Sequence, residues 1–469
     1  MTSPTLKDVP GSTGWRDSLD FYRRRFQFGE VLRELSGRHG DLVRLPIPGP
    51  PKVLLAHPDD IQEVLATRAQ YYQIFAQDLI RQMLPWGIIA TEGQIHDENR
   101  SPMLLAMRKI LSRRLPELSL QKCREATAAW RDGEVVDLYR VAREITLAIS
   151  ASMLTPPDAH DLLASRIDTD SLLKLTEMSN AYFISIPKSI RRILLLPQIP
   201  HLVDLFRKSR HLRAQFRGVI SEIRSREWPG PAADAVSLLT EGTEVGGRLP
   251  EEYLFDNLLT LLVAGFETTS NVLSWAMWET ARRDDLQDHI AAEAAHLSDV
   301  ADENAEWINQ APWTDAVVME ALRMYPSAWF LARQSIFECR LHGHLFDKGT
   351  VFYMSSWVTQ RDSRWFPEPD RFLPERWMEG KSSAATAAAM NGPGGDAGPS
   401  HRPPFSYFPF GGGKRFCIGK AIFDYEASLL MASVFRDWRL EPVEGCEPKP
   451  RFLITMRPDR SVLVRLRHR

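Results

Sequence analysis

A glycine-rich segment that ends in a cysteine is the part of this sequence best suited to chemistry. Residues 410–419 read FGGGKRFCIG. Three consecutive glycines permit backbone conformations closed to other residues, so the segment can turn tightly and present Cys417 to a large flat ligand. A helical pattern resumes at Lys420, and a cysteine at a helix N-terminus beside Lys414 and Arg415 favours the thiolate, which loop N–H groups would stabilise. The alternative is a glycine-rich turn that holds a buried structural cysteine.

A second candidate site lies within the long apolar stretch 254–278, which is typical of a buried core helix. Gly265 inside a helix costs ~1 kcal/mol relative to alanine, and the carboxylate of Glu267 is costly there unless it is paired or hydrated. Two unfavourable residues so close together indicate a site. Gly265 would let a ligand approach the backbone, and Thr268 would donate a hydrogen bond into the gap. The alternative is a threonine that acts like a helix N-cap, beside a solvated glutamate.

A third pattern is the pair Glu320 and Arg323. Residues three apart share a helix face and can form an ion pair. The residues between and before them are apolar, which favours burial of the pair. The alternative is an ordinary surface ion pair, and the spacing alone does not decide between the two.

The glycine-rich segment resembles the cysteine-ligand loop of the cytochrome P-450 family, F-x-x-G-x-R-x-C-x-G. Phe410, Gly413, Arg415, Cys417 and Gly419 match every fixed position of that pattern. The resemblance implies that Cys417 is the ligand of a haem b iron, and that the fold is the family's triangular haem-thiolate fold, mainly α with a small β lobe.

The other two patterns resemble the same family. Its A/G-G-x-D/E-T segment lies above the haem, where acid and alcohol manage proton delivery to dioxygen; Ala264, Gly265, Glu267 and Thr268 match it. Its E-x-x-R motif matches the third pattern.

By resemblance, Glu320 and Arg323 form a structural triad with Arg376 that supports the cysteine loop. A planar guanidinium that bridges two elements does what lysine would do poorly. One residue departs from the family: Gln360 stands where many relatives carry histidine, and we expect this to affect local surface structure only.

The resemblance also implies two sets of ligand-contacting residues. Cations for the haem propionates are expected at His96, Arg100, Arg333 and Arg415. A lipophilic substrate pocket is expected to be lined by Phe75, Trp86, Phe183, Val263, Trp329, Phe330 and Ile454. The alternative for the aromatic members of the second set is that they are simply core side chains.

Local patterns predict the elements that must position these residues. Helical periodicity dominates residues 95–330, and a helix is also expected over 58–66. Strands are expected at 41–47, 52–57, 335–340, 351–357 and within 452–466. We expect an N-terminal extension over 1–40, a single catalytic domain over 41–469, and a disordered Ala/Gly/Ser/Pro-rich insertion at 380–404.

Composition limits the class of protein. The chain has 469 residues and a formal net charge of -2, whereas nucleic-acid-binding domains are usually strongly basic. Its four cysteines form no C-x-x-C pair, so neither a disulfide framework nor a zinc site is expected. No segment near the N-terminus has the ~18 apolar residues of a membrane anchor, so a cytoplasmic protein is expected.

These patterns predict a haem-thiolate monooxygenase that hydroxylates or epoxidises a terpenoid, fatty acyl, steroid or polyketide substrate with dioxygen. Electrons from NAD(P)H would come through a ferredoxin or flavodoxin and its reductase. Such a partner is expected to dock on a basic run, Arg100, Arg108, Lys109, Arg113 and Arg114, with Lys414 and Lys420 nearby. Arg100 is expected to point inward to a propionate and the others to be exposed. The alternative is a solvated charged helix face. The alternatives are dioxygen-independent rearrangement, peroxide-driven oxidation and a non-catalytic haem protein.

Overall fold

A computed structural model describes residues 4–11, 14–75, 81, 84–156, 159, 199–227, 233–241, 248–295, 310–378 and 402–469. Phe183 and most of the expected 380–404 insertion lie outside these residues.

Helices make up most of the described chain. They are α1 Trp15–Arg23, α2 Phe28–His39, α3 Pro58–Gln62, α4 Gly93–Arg113, α5 Leu115–Thr127, α6 Leu138–Leu154, α7 Ile199–Arg224, α8 Ala235–Glu241, α9 Glu251–Ala281, α10 Asp284–Ala294, α11 Pro312–Met324, α12 Ser356–Thr359 and α13 Lys420–Asp437. Short 3₁₀ turns include Pro374–Trp377 and Gly413–Arg415.

The helix α9 is the central element. Glu251 and Glu252 lie in its first turn, where the positive end of the helix dipole favours carboxylates. Its 31 residues span about 46 Å at 1.5 Å per residue. Most of its side chains are buried against α6, α11 and α13, so the prediction of a buried core helix is confirmed. No helix in the described part of the chain is long and apolar enough to cross a membrane.

Strands form four small sheets. They are β1 Leu42–Arg44, β2 Lys52–Leu55, β3 Tyr72–Ile74, β4 Val135–Asp137, β5 Leu331–Ser335, β6 Cys339–Leu341, β7 His344–Phe346, β8 Val351–Met354, β9 Trp438–Pro442, β10 Pro450–Phe452, β11 Met456–Pro458 and β12 Leu463–His468. The largest sheet has the order β1-β2-β8-β5-β3, in which only β2 and β8 are parallel. A second sheet has the order β4-β12-β9, and β6–β7 and β10–β11 are hairpins.

Several predicted elements have other boundaries. The strands expected at 41–47, 52–57 and 351–357 end earlier, at Arg44, Leu55 and Met354. The helix expected over 58–66 is α-helical only to Gln62 and continues as a π-helix to Thr67.

The strand expected at 335–340 is replaced by β5, which ends at Ser335, and by β6, which begins at Cys339. The polar residues of β5 have little strand propensity. They form a strand because β5 makes backbone hydrogen bonds with β3 and β8, and tertiary context of this kind decides strand formation. The segment 452–466 folds back on itself and contributes to three strands instead of one.

The N-terminal 40 residues contain helices that pack on the rest of the chain. Val31, Leu32 and Leu35 on α2 are buried in the main core. Arg33 donates two hydrogen bonds of 2.7 Å to the carboxylate of Asp370. Helix α2 is therefore joined to the segment that follows α12.

Candidate active site

The cysteine loop takes a shape that needs glycine. Gly411 and Gly413 have positive φ angles of 73° and 64°, which residues other than glycine rarely adopt. A Cβ at Gly413 would lie only 2.0 Å from the carbonyl oxygen of Leu65. The N–H of Cys417 donates to the carbonyl of Phe410 at 3.1 Å. The loop is thus closed on itself immediately before α13.

Cys417 is exposed, although groups of the protein surround its thiol. The residue is exposed, yet burial raises the pKa of its thiol, against the opposing effects of the Gly419 N–H and the Arg100 guanidinium. We infer that the sulfur faces a space enclosed by the protein. The N–H group and the cation would favour the thiolate as a metal ligand.

The middle of α9 opens onto the interior as well. Ala264 is exposed although Leu262 and Phe266 beside it are buried. The hydroxyl of Thr268 donates to the carbonyl of Ala264 at 2.7 Å. Because α13, which follows Cys417, packs on α9, the space in front of Cys417 is expected to extend to Ala264 and Thr268.

Gly265 allows close packing of two helices. A Cβ at this position would lie 2.7 Å from Oγ of Ser150 on α6. One turn away on α6, Thr146 donates to the carbonyl of Phe266 at 3.1 Å. The glycine therefore lets α6 pack closely on α9, and the approach of a ligand to its backbone stays a prediction.

Glu267 is held by an element far away in the sequence. Its Oε1 accepts a hydrogen bond of 2.7 Å from the hydroxyl of Thr455, which precedes β11. The predicted acid and alcohol, Glu267 and Thr268, are consecutive residues of α9, and the structure adds the hydroxyl of Thr455 to the acid.

The four predicted cationic residues converge. Burial lowers the pKa of His96, and the cations of Arg415 and Arg100 lower it further. Burial also lowers the pKa of Arg333, to about 10, with a smaller contribution from Arg415. Arg100 donates to the carbonyl of Phe416 at 2.6 Å. These mutual effects require that the groups lie close to one another.

The cluster carries more positive than negative charge. Arg415 forms an ion pair of 2.6 Å with Glu92, and Glu92 also accepts from the N–H of Ile74 at 2.7 Å. Within the described residues, the hydrogen bonds of Arg100 and Arg333 go to backbone carbonyls. Like charges that are kept together in a partly buried place favour an anionic ligand.

A haem fits the residues that surround this space. An accessible sulfur in an internal cavity can ligate iron, and the exposed Ala264 leaves room for a flat macrocycle. The excess positive charge of Arg100, Arg333 and Arg415 matches the two propionates. The three features come from separate elements, and a haem would satisfy all of them.

The predicted triad is present and buried. Arg323 makes two hydrogen bonds of 2.8 Å to Glu320, and both side chains are fully buried. Arg376 and the indole N–H of Trp377 also donate to Glu320, at 3.1 Å and 2.9 Å. Burial opposes ionisation of Glu320, but the two guanidiniums outweigh it and hold its pKa below the ordinary value. The surface ion pair is thus excluded.

Gln360 lies in the core, contrary to the expectation that it concerns surface structure only. It is fully buried. Its amide donates to the carbonyls of Leu322 and Arg323 at 3.1 Å and 3.0 Å, and its Oε1 accepts from the N–H of Phe408 at 3.0 Å. Gln360 therefore connects the end of α11 to the chain that enters the cysteine loop.

The expected pocket residues separate into two groups. Trp329 is fully buried, packs edge-on against Phe28 and Phe452, and donates to the carbonyl of Leu453 at 2.7 Å. It is a core side chain, so its assignment to the pocket lining is corrected. The partly accessible members are Phe75, Trp86, Val263, Phe330 and Ile454. Of these, Trp86 stacks on Tyr253 with ring centroids 5.0 Å apart.

Two members of the expected basic surface have other contacts, and the side chain of Arg113 lies outside the described residues. Arg108 and Lys414 are exposed and Lys109 is half-buried. Arg114 instead donates to the carbonyl of Thr155 at 2.7 Å, and Lys420 is buried in an ion pair with Asp424 at 2.6 Å. We refer to Arg108, Lys109 and Lys414 as the basic patch.

The structure adds three contacts that the sequence patterns did not predict. Glu92, Gln360 and Thr455 each contact a predicted residue. Their partners are 323, 37 and 188 positions away along the chain, so only the folded structure could reveal them.

The comparisons with known proteins agree with this site. A sequence profile described as Cytochrome P450 matches residues 18–464. Cyclooctatin synthase of Streptomyces melanosporofaciens is 26% identical over 90% of this chain and 88% of its own. Pentalenene oxygenase of Streptomyces avermitilis is 26% identical over 91% of this chain and 90% of its own.

The solved structures of similar fold are also P450s. A retinoic-acid-bound cyanobacterial CYP120A1 has a TM-score of 0.79 and 21% identity, with full coverage of both chains. A cytochrome P450DA haem domain has a TM-score of 0.77 and 18% identity, with 98% coverage of both chains. This chain therefore has the fold of the cytochrome P450s, and it belongs to the cytochrome P450 family. It is a cytochrome P450 monooxygenase, whose cofactor is haem iron.

Proposed function

We propose that this enzyme inserts one atom of dioxygen into a lipophilic substrate of the terpenoid class, with Cys417 as the iron ligand. The balanced reaction converts C–H, dioxygen, two electrons and two protons into C–OH and water. A haem with a thiolate ligand supplies oxygen activation, because the thiolate pushes electron density that favours O–O cleavage. Epoxidation of a C=C bond is the related outcome.

The protein's own residues orient the cofactor and the substrate, exclude water and move protons. Arg100, Arg333 and Arg415, with His96, would hold the propionates by neutralising their charge. Thr268 and Glu267 would hold and pass protons at the side of the cavity opposite Cys417. The observation that supports this proposal is a pair of exposed residues, Cys417 immediately before α13 and Ala264, one turn from Thr268, on α9, against which α13 packs.

The substrate class rests on two points. The partly accessible side chains, among them Phe75, Val263, Phe330 and Ile454, are apolar or aromatic. Relatives of similar length are named cyclooctatin synthase, pentalenene oxygenase and cyclooctat-9-en-7-ol 5-monooxygenase. The apolar side chains favour a lipophilic substrate of any of the expected classes, and the names of the relatives favour a terpenoid among them.

The electron donor is proposed to be an acidic ferredoxin or flavodoxin, served by an NAD(P)H-dependent reductase. The basic patch lies on α4 and the cysteine loop, which are joined by the hydrogen bond from Arg100 to Phe416. A partner bound there would be near the sulfur side of the cofactor.

Two assays test the proposal. A spin-state screen of terpenes, fatty acids, steroids and polyketides should give its strongest Soret shift with a terpenoid. Turnover with NAD(P)H, a surrogate ferredoxin and its reductase under ¹⁸O₂ should place one labelled oxygen atom in the product. Unlabelled product without reductant would instead show a rearrangement, and product with peroxide alone would show peroxide-driven oxidation.

A further inference from the structure

The C-terminal hairpin contributes a polar side chain to the centre of α9. Thr455 lies between β10 and β11, is 9% exposed, and donates from its hydroxyl to Oε1 of Glu267 at 2.7 Å. Hydrogen bonds to an ionised oxygen are about twice as strong as neutral ones. This contact therefore limits the directions in which the Glu267 carboxylate can point.

The hairpin turn that carries Thr455 is itself fixed on both sides. The N–H of Met456 donates to the carbonyl of Ser327 at 2.8 Å. The indole of Trp329 donates to the carbonyl of Leu453 at 2.7 Å. Since the backbone is held before and after Thr455, the hydroxyl is a preset partner for the carboxylate, so little conformational entropy is lost when the bond forms.

The same hairpin brings a cation to the neighbourhood of the acid. Burial raises the pKa of Tyr139, which the cations of Arg457 on β11 and of Arg143 lower and the Glu267 carboxylate raises. Glu267, Tyr139 and Arg457 are therefore neighbours. A carboxylate released from Thr455 would have other polar groups to turn towards.

We propose that Thr455 is a positioning residue for Glu267: its hydroxyl fixes one carboxylate oxygen, so that the other stays directed towards the cavity beside Thr268. The neighbouring Ile454 belongs to the proposed substrate lining, so the same turn links substrate binding to the orientation of the acid. This inference rests on the proposed function, in which Glu267 passes protons.

The test replaces the hydroxyl and leaves the shape. Thr455→Val removes the donor, and Thr455→Ser keeps it. Thr350→Val is the matched control, because Thr350 is a buried threonine whose hydroxyl donates to the backbone carbonyl of Asp347. All three should load haem like the parent enzyme. Thr455→Val should lower product per NAD(P)H about two- to tenfold, the range that the net worth of one hydrogen bond corresponds to. Thr455→Ser and Thr350→Val should stay near the parent value.

A second readout reports the contact without turnover. The urea midpoints of Thr455→Val, Glu267→Gln and the double variant form a double-mutant cycle. If the two side chains interact, the shift in the double variant should be smaller than the sum of the single shifts.

Two results would overturn the inference. One is that the midpoint shifts of the two single variants are additive. The other is that Thr455→Val leaves product per NAD(P)H unchanged while Glu267→Gln lowers it. In that second case the proposed function stays intact. If Glu267→Gln itself leaves product formation unchanged, the proton-delivery role of Glu267 fails, and the inference fails with it.

Discussion

Among the four cysteines, Cys417 differs from the others in what surrounds its sulfur. Cys123 is buried on α5, and burial raises the pKa of its thiol to about 12, so it is a neutral core residue. Cys339 and Cys446 are partly exposed, and Cys446 contacts the backbone of Ser461 and Leu463. Cys417 combines an accessible sulfur with an N–H donor and a nearby guanidinium.

Replacing Cys417 by alanine should therefore remove the iron ligand. The reduced carbonyl complex of Cys417→Ala is expected to lose the red-shifted Soret band that a thiolate ligand causes. Cys446→Ala is the matched control and should keep the band. Its retention in Cys417→Ala would show that another residue ligates the iron.

At Thr268, loss of the hydroxyl should affect proton supply and not cofactor binding. Thr268→Ala is expected to load haem normally but to release peroxide, with product per NAD(P)H reduced roughly tenfold or more, since a positioned proton donor contributes ~10²–10⁴ in rate. Peroxide release and product yield together measure how the reducing equivalents are divided between peroxide and product. Thr268→Ser should restore most of the yield; equal yields in the parent and Thr268→Ala would refute the role.

At the scale of elements, one buried network joins three segments that are distant in the sequence. Arg323 on α11 donates to the carbonyls of Gln360, Pro369 and Arg371, besides its pair with Glu320. These bonds hold the segment after α12 against α11. Because Gln360 also binds Phe408, the network extends to the entrance of the cysteine loop.

Removing Arg323 should therefore destabilise the fold. Loss of one partner of a buried ion pair costs ~3–5 kcal/mol, compared with a total stability of ~5–15 kcal/mol for a typical protein. Arg323→Ala should give little haem-loaded protein. Arg364→Ala is the control: Arg364 pairs with Asp41 and Asp362 at the surface, where the loss is ~0–1 kcal/mol.

Haem content and urea unfolding measure the difference between the two variants. A stable and fully loaded but inactive Arg323→Ala enzyme would point to a catalytic role for Arg323 in place of a structural one.

At the scale of the whole molecule, the basic patch stands out against a chain of net charge -2. A local excess of cations on such a background attracts acidic partners, and steering of this kind raises association rates by ~10–10³ at low salt. The attraction weakens as salt rises, since the Debye length falls to ~8 Å at physiological ionic strength.

Reversal of the patch should therefore slow reduction by a partner. Changing Arg108, Lys109 and Lys414 to glutamate is expected to lower the rate of ferredoxin-driven reduction about tenfold or more at low salt, within the range of electrostatic steering, and to flatten its salt dependence. Stopped-flow reduction measures both effects. Dithionite reduction and substrate binding should not change.

The matched control reverses three charges elsewhere. Arg207, Lys208 and Arg210 lie on α7, which packs on α8 and α9. If this control slows reduction as much as the patch variant does, net charge and not the patch governs association.

The class of protein and the tight turn before Cys417 were predicted from the sequence alone. The spacing of glycines, arginine and cysteine in residues 410–419 is a local property of the backbone, and the positive φ angles at Gly411 and Gly413 bear out the tight turn. The pairing of Glu320 with Arg323 was also within reach, because residues three apart on a helix share a face.

Only the tertiary structure decided which residues from elsewhere complete the site. Thr455 on Glu267, Glu92 on Arg415 and Gln360 under the cysteine loop are single polar side chains that meet their partners across long stretches of chain. The use of Gly265 against Ser150 and the burial of Trp329 were decided in the same way. Such contacts follow from how helices and hairpins pack. A spacing rule along the chain carries no information about which distant residue will make the contact.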